Sequence, residues 1–255
     1  MPVDLVDTPL LLKILEPIWQ EKTETATRVR NRIELILDWA AARNYRSGEN
    51  PARWKGHMDK LLPARSKIQR VEHFKALHYR DIPQFIKLLQ QREGVSARAV
   101  EFAILTVARS GEIRGALWSE IDFEEKLWII PARRMKMDKE HRIPLCDKAM
   151  RLLNHLPRLD GCDFVFPAPR SNKALSDMSL TAVLKRMDYQ GITMHGFRST
   201  FRDWAGETTH YPREVIEHAL AHKLKDKAEA AYQRGDMLQK RRLLMQEWAD
   251  FCDPY

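Results

Sequence analysis

The spacing of the apolar residues constrains the fold most, because it is helical along most of the chain and alternates in one short region. Helical spacing runs from the early segment LLLKILEPIW to the closing LLMQEWADF. Alternation is confined to IDFEEKLWII and the segment around HRIPL, which the basic stretch PARRMKMDKE joins. The sequence therefore predicts a mostly α fold with one small antiparallel β-sheet, an α+β architecture.

Local signals predict where several helices begin. Thr8 and Pro9 suit the N-cap and first position of a helix whose length Pro17 limits. Asp81 and Ser96 are the expected N-caps of two later helices. A helix predicted from about Thr23 carries an apolar stripe that consists of Val29, Ile33, Ile36, Leu37 and Ala40.

The basic charge is concentrated in one region. The 255 residues carry a net charge of +8, and residues 43–80 contain 10 basic and 3 acidic side chains. The basic segment 63–80 has no steady hydrophobic period, so it predicts a linker between a helical unit at 1–62 and a mixed domain at 81–255. Such an excess of positive charge favours a polyanionic partner.

Several features limit the class of protein. Three cysteines without paired spacing predict neither a disulfide framework nor a CxxC metal site. No apolar run approaches the roughly 18 residues that span a bilayer. The start MPVDLVD lacks the features of a signal peptide. We therefore expect a cytoplasmic protein without a membrane partner.

The segment MHGFRSTFRDW, residues 194–204, predicts a short helix with two different faces. Its three cationic side chains share one face and its three aromatic side chains share another. These are His195, Arg198 and Arg202, and Phe197, Phe201 and Trp204, respectively. The aromatic face suits burial and the cationic face suits an anion.

Side chains with catalytic potential occur in four places. Taken singly, each has an ordinary structural explanation, such as a surface ion pair or a solvated hairpin tip. Their order is more specific: an arginine in RSGE, a lysine in a predicted hairpin, an HxxR motif, and a histidine ten residues before a tyrosine. These residues are Arg109 with Glu112, Lys136, His195 with Arg198, and His222 with Tyr232.

This ordered set resembles the tyrosine recombinase family, the phage-type integrases. The resemblance covers essentially the whole chain, and WSEID, MKM, HGFRSTFRDWA and EAAY are most similar to integrases of temperate phages and genomic islands. It implies the catalytic fold of that family after a partial helical core-binding unit. It also implies a site-specific DNA recombinase that integrates or excises a mobile element without a metal or nucleotide cofactor.

The resemblance implies that Tyr232 is the nucleophile and forms a covalent 3′-phosphotyrosyl intermediate. Arg109 and Arg198 are suited to bind the non-bridging oxygens of the cleaved phosphodiester, because a guanidinium is always charged and its planar fork binds two oxygens. The tyrosine hydroxyl has a reference pKa of about 10, so it needs a base, for which His195 is the candidate. Lys136 is the candidate acid for the leaving 5′ oxygen.

Five other side chains complete this interpretation. His222 falls at the position that hydrogen-bonds the phosphate or supports the nucleophile, and Glu112 is expected to orient neighbouring cations. Lys67 and Arg70 are candidate contacts to the DNA backbone. Arg202 matches no catalytic position, so a structural salt bridge is its expected role.

The chain departs from the family pattern at two places. A tight glycine turn often precedes the first arginine, whereas Thr106, Val107 and Ala108 stand here and predict a continued helix. The start lacks the equivalents of an arm-binding domain and of part of the core-binding domain, so we expect a fragment.

The resemblance implies double-stranded attachment sites and a homotetramer on DNA, with accessory bending or directionality factors. Residues 236–251 predict a final helix capped by Asp236, with Leu244, Trp248 and Phe251 in one apolar stripe. This stripe suits either its own domain or a neighbouring subunit. The periodicity alone does not choose between them.

Two other functions fit parts of the sequence. One is a catalytically inactive DNA-binding derivative of such an enzyme. The other is a metal-dependent nuclease, since His218 and His222 in HALAH stand four residues apart and suit one metal ion on a helix face. Fixed cations already offset phosphoryl charge in the recombinase interpretation, which therefore predicts no metal site.

Overall fold

The computed structural model describes residues 1–68, 75–169, 171–222 and 235–254. The chain divides into two compact units, residues 1–73 and 74–255, and this division falls inside the predicted linker 63–80. No helix within the described ranges is long and apolar enough to cross a membrane.

The first unit contains two main helices, α1 (Thr8–Trp19) and α2 (Thr23–Ala42). Their shared core includes Leu11, Leu15 and Leu37. The remaining elements are short: a 3-10 turn at Val3–Leu5, an irregular turn at Trp54–Met58, α3 (Asp59–Leu61) and α4 (Arg65–Ile68).

Helix α1 begins one residue earlier than predicted, and Pro17 does not end it. Asp7 is the N-cap, since its Oδ1 accepts the Leu10 N–H at 2.9 Å, and Thr8 is the first helical residue. Pro17 lies inside the helix, which continues to Trp19. Burial of Trp19 in the core of the unit favours this last turn despite the missing proline N–H.

The buried face of α2 is narrower than predicted. Leu37 and Ala40 are buried, and Val29 and Ile33 are half-buried, but Ile36 is 58% exposed. Adjacent residues on a helix point about 100° apart, so the core that covers Leu37 leaves Ile36 in solvent.

The second unit is mostly helical. Among its described residues, the helices are α5 (Ile82–Gln90), α6 (Val95–Thr106), α7 (Ser110–Arg114), α8 (Asp147–His155), α9 (Ser179–Arg186), α10 (Gly196–Thr208), α11 (Arg213–Ala219) and α12 (Leu238–Cys252). Three 3-10 turns lie at Tyr79–Asp81, Trp118–Glu120 and Ala132–Arg134.

Three strands form the predicted antiparallel sheet in the order β1-β2-β3. They are β1 (Ile121–Asp122), β2 (Leu127–Ile130) and β3 (His141–Pro144). Ile121 pairs with Trp128, and Ile130 pairs with His141. The α+β prediction is therefore confirmed, and residues 131–140 connect β2 to β3.

Asp81 occupies the N-cap position of α5, as predicted, but Ser96 is not the N-cap of α6. Asp81 ends a 3-10 turn with helical backbone angles, whereas a capping side chain folds back from extended backbone, and it makes no capping hydrogen bond. Gly94 precedes α6, so Ser96 lies inside that helix.

The aromatic face of α10 is buried, as predicted. Phe197, Phe201 and Trp204 are 3%, 0% and 4% exposed, and the ring centroid of Trp204 lies 4.9 Å from that of Trp248 on α12. Leu244 and Trp248 are both fully buried. The apolar stripe of the last helix therefore packs on its own unit.

Asp236 is not the cap of α12. Met237 precedes the helix, and the Asp236 carboxylate instead pairs with Arg142 at 2.8 Å and Arg241 at 3.1 Å. The Arg241 side chain is 1% exposed, so this carboxylate compensates a buried charge.

Helix α6 ends at Thr106 and does not continue as predicted. Val107 takes the left-handed conformation, with φ 49° and ψ 23°, and reverses the chain before Arg109. This conformation costs a non-glycine residue about 1–2 kcal/mol. Burial of the Val107 side chain, which is 2% exposed, and a hydrogen bond to its carbonyl offset that cost.

Candidate active site

Helix α10 buries Arg198 among backbone carbonyls, with only 4% of the residue exposed. Its Nη1 donates to the Val107 carbonyl, and its Nη2 donates to the Leu220 carbonyl at 2.5 Å. Burial, followed by the nearby Arg109, lowers the pKa of Arg198 to about 10. The guanidinium therefore remains charged at neutral pH.

The turn between α6 and α7 holds Arg109. Glu112 accepts the Arg109 backbone N–H through Oε2 at 2.7 Å and the side-chain Nη1 through Oε1 at 2.8 Å. Residue 109 is the N-cap and residue 112 the third position of α7, so local helix geometry brings the two together. The Glu112 carboxylate therefore contacts Arg109, a neighbouring cation of the kind that it is expected to orient.

The turn at the end of α11 supplies the backbone carbonyls that accept hydrogen bonds from the two arginines. Ala221 is left-handed, with φ 48°, and its N–H bonds the His218 carbonyl at 3.0 Å. The next N–H, of His222, bonds the Glu217 carbonyl at 3.0 Å. This pattern is a Schellman motif, which places His222 just beyond the helix end.

The carbonyls after α11 bring the two arginines together. Arg109 Nη2 donates to Leu220 at 3.4 Å and to Ala221 at 3.1 Å, while Arg198 also donates to Leu220. Helix C-terminal carbonyls carry partial negative charge, so they favour cations. Two guanidiniums are therefore fixed side by side.

The His222 ring lies between Glu217 and Arg198. Its Nδ1 is 2.7 Å from Glu217 Oε2, and its Nε2 is 3.2 Å from Arg198 Nη2. A guanidinium only donates, so Nε2 accepts and the ring proton is on Nδ1. Burial lowers the pKa of His222, although the hydrogen bond to Glu217 opposes this effect.

Glu217 is a site residue that the sequence interpretation missed. Its Oε1 lies 2.9 Å from Arg202 Nη2, which confirms the structural salt bridge expected of Arg202. The available signal was its place in EHALAH, five residues before His222. Residues five apart on a continuous helix point to different faces, so the sequence does not pair Glu217 with His222. The Schellman turn brings the two side chains together.

His195 immediately precedes α10. Partial burial lowers its pKa from 6.5, and the positive charges of Arg198 and Arg109 lower it further. The neutral ring that a base requires is therefore the main form at neutral pH. His222 contributes in the same direction to the pKa of His195.

A close approach of two segments positions the start of α10. A Cβ on Gly196 would lie 2.9 Å from the Ala76 Cα, and Thr193 N donates to the Lys75 carbonyl at 3.1 Å. Glycine is therefore required between His195 and the aromatic face. Residues 75–77 lie within the predicted linker but belong to the second unit.

Lys136 lies in the middle of the β2–β3 connection, and His141 is the first residue of β3. Lys136 is exposed, and its ammonium has no hydrogen bond or ion pair within the described ranges. His141, which the sequence interpretation missed, has its pKa lowered to about 3 by burial and then by Arg241, Arg109 and Arg198. The first residue of β3 is thus a neutral neighbour of the cations.

Three predicted residues have no described side chain. Tyr232 and Arg70 lie outside the described residues, and the side chain of Lys67, in α4, is also outside them. The structure brings together Arg109, Glu112, His195, Arg198 and His222.

The metal alternative lacks a donor set in the part of the chain that the structure describes. No group of three or more His, Cys, Asp or Glu residues there could hold a metal ion. His218 lies on α11 but His222 lies beyond the helix end, so they do not share a helix face.

Comparisons with known proteins identify the relatives of this chain. Residues 1–57 match the phage integrase central domain, and residues 75–238 match the phage integrase family. The Integrase of Enterobacteria phage P4 is 34% identical over 252 residues, covering 91% of this chain and 56% of that protein. Prophage integrase IntZ of Escherichia coli (strain K12) is 32% identical over 246 residues, covering 95% of this chain and 59% of that protein. The chain thus spans less than two thirds of either relative.

Solved structures show the same fold at lower sequence identity. A lambda integrase(75-356) dimer bound to a COC′ core site superposes with a TM-score of 0.63 at 18% identity, covering 92% of this chain and 82% of that one. The Tn1549 transposon integrase in complex with circular intermediate DNA has a TM-score of 0.60 at 14% identity, covering 92% of this chain and 87% of that one. With the family match over residues 75–238, these findings show that the chain belongs to the phage integrase family.

Proposed function

We propose that this chain is the catalytic part of a site-specific DNA recombinase, which cuts and rejoins DNA through a covalent 3′-phosphotyrosyl intermediate. The observation that carries the proposal is the arginine pair on the Leu220 carbonyl, with Arg198 buried and Arg109 25% exposed. Two cations fixed on one carbonyl are suited to bind the non-bridging oxygens of a phosphodiester. Their geometry is set before substrate arrives, so little reorganisation is needed.

The other roles follow the chemistry of the strand exchange. Tyr232 is the proposed nucleophile and His195 its base, while Lys136 protonates the leaving 5′ oxygen. Tyrosine takes the place of the 5′ oxygen on phosphorus, so the phosphodiester energy is retained and rejoining needs no nucleotide. His222 contacts the phosphoryl group, and Glu112 holds Arg109.

Double-stranded DNA is the proposed partner. The relatives include a lambda integrase dimer on a core site and a lambda integrase tetramer bound to a Holliday junction. We propose that residues 1–62 form a core-binding unit and 81–255 the catalytic domain, with Lys67 and Arg70 of the linker 63–80 contacting the DNA backbone. The 10 basic against 3 acidic side chains in residues 43–80 support this placement.

A homotetramer on attachment sites, with accessory bending or directionality factors, is the proposed assembly. The buried stripe of α12 is already used within its own unit. A subunit contact through residues 236–251 therefore requires the other face, where Leu243 is 62% exposed.

A trapping experiment tests the function. The chain is incubated with a suicide duplex, nicked so that the cleaved strand diffuses away, and the products are resolved on a denaturing gel. We expect a protein–DNA adduct that Tyr232→Phe abolishes. Duplex retention without an adduct would instead identify an inactive DNA-binding derivative. Cleavage that chelator abolishes and Tyr232→Phe leaves intact would identify a metal-dependent nuclease.

A further inference from the structure

Glu217 is held so that its carboxylate cannot turn away from His222. The residue is 7% exposed and lies in the last turn of α11. Its Oε2 lies 2.7 Å from His222 Nδ1, and its Oε1 lies 2.9 Å from Arg202 Nη2. Arg213 adds a longer contact, at 3.8 Å, to the same Oε1. Both carboxylate oxygens are therefore occupied.

This contact decides what the other ring nitrogen can do. With the proton on Nδ1, the His222 Nε2 accepts from Arg198 Nη2 at 3.2 Å. An accepting nitrogen cannot hydrogen-bond a phosphoryl oxygen, which also only accepts. Donation to a phosphoryl group therefore requires a second proton on the ring.

We propose that Glu217 is a positioning residue that keeps His222 as the Nδ1–H tautomer and supports a proton on Nε2 when a phosphoryl group binds the arginine pair. The ring then changes from acceptor to donor, taking one proton from solvent. This proposal rests on the proposed function, because a phosphoryl group must reach Arg109 and Arg198.

The charges around the ring explain why the change needs both Glu217 and an anion. Burial lowers the pKa of His222, and the positive charges of Arg198 from α10 and Arg109 before α7 lower it further; His195 also interacts electrostatically with His222. Glu217 from α11 is the opposing charge and raises the pKa. A bound phosphoryl group offsets the two guanidiniums, so the imidazolium then lies between two negative groups.

Nuclear magnetic resonance of protein labelled with ¹⁵N-histidine tests this inference. Long-range ¹H–¹⁵N spectra report which ring nitrogen carries a proton, and His222→Gln identifies the signals. Spectra are recorded at pH 7.5 and low salt, without and with a mixed-sequence duplex of about 30 base pairs, whose binding is followed by fluorescence anisotropy. We expect the wild-type ring to be Nδ1–H alone and doubly protonated with duplex.

Two variants and one matched control separate positioning from folding. In Glu217→Gln the amide oxygen still accepts from Nδ1, so the tautomer stays, but protonation with duplex is lost. In Glu217→Ala the preference for Nδ1–H is lost as well. Glu214→Gln removes the same charge from the same helix and should leave both signals as in the wild type.

The outcomes distinguish this inference from the recombinase proposal. A wild-type Nε2–H tautomer, absence of duplex binding at low salt, or Glu217→Gln protonating like the wild type overturns it. Failure to form a covalent adduct, with these signals intact, refutes the recombinase proposal instead. If both hold, Glu217→Gln slows adduct formation by at least about tenfold with an unchanged melting temperature.

Discussion

Arg198 donates a hydrogen bond to the carbonyl of Val107, the left-handed residue at which helix α6 ends. The two residues are 91 positions apart. Their contact joins the chain reversal before Arg109 to the helix that carries the second arginine. The strained left-handed conformation of Val107 therefore points its carbonyl at the buried Arg198 guanidinium.

Removing either arginine should impair catalysis, but only one should strongly impair folding. Arg109→Ala and Arg198→Ala should each slow adduct formation by at least about 100-fold, as loss of an oxyanion donor does. Arg198→Ala should also lower the free energy of unfolding by about 2–4 kcal/mol, since buried carbonyls lose their donor. The side chain of Arg109 is 25% exposed, so its removal should cost about 1 kcal/mol. Cleavage within tenfold of the parent would contradict the catalytic assignment.

Ala221→Gly should stabilise the second unit. Ala221 has φ 48°, a conformation that glycine adopts without the steric cost of a Cβ. A gain of about 1 kcal/mol corresponds to a rise of about 2–4 °C in melting temperature for a unit of this size. Ala219→Gly, inside α11, is the control and should lower the melting temperature. A decrease with Ala221→Gly would show that the turn is not strained.

Gly196→Ala should destabilise the protein and disturb His195. The added Cβ would lie 2.9 Å from the Ala76 Cα, so backbone must move, at a cost of about 1–3 kcal/mol. Gly206 lies on the same helix with nothing within 4 Å of an added Cβ. Gly206→Ala should therefore stabilise by about 0.5–1 kcal/mol. Equal melting temperatures for the two variants would rule out the close approach.

The pH profile of adduct formation tests His195 as the base. A base works when unprotonated, so the rate falls as pH drops through its pKa. Burial and neighbouring cations lower that pKa, so the acid limb of the second-order rate constant should lie below pH 6.5. His195→Gln should remove the limb, whereas His155→Gln on α8 should retain it. A limb centred above pH 6.5 would contradict the assignment.

Lys136 is tested by changing the leaving group. Lys136→Ala should slow cleavage of an ordinary duplex, and a 5′-bridging thiolate should restore the rate, because that leaving group needs no proton. Lys139→Ala, in the same β2–β3 connection, should cleave both substrates normally. Absence of rescue in Lys136→Ala would assign the acid to another residue.

Local patterns predicted the main helices and the sheet, and the ordered set of charged residues supplied the candidate site. Alternation in IDFEEKLWII and around HRIPL predicted a small antiparallel sheet, and helical spacing predicted that Phe197, Phe201 and Trp204 face the core. These predictions succeed because the spacing of apolar residues within one short segment indicates both the type of element and the face that it buries.

Contacts between distant segments required the tertiary structure. The sequence determined which side chains carry charge and in what order they occur: Arg109, His195, Arg198 and His222. Only the fold decided that carbonyls after α11 hold two of them and that Glu217 sets the tautomer of His222. Every residue carries the same backbone carbonyl, so the sequence does not show which carbonyls bind the arginines. The directions of these carbonyls depend on the left-handed turns at Val107 and Ala221.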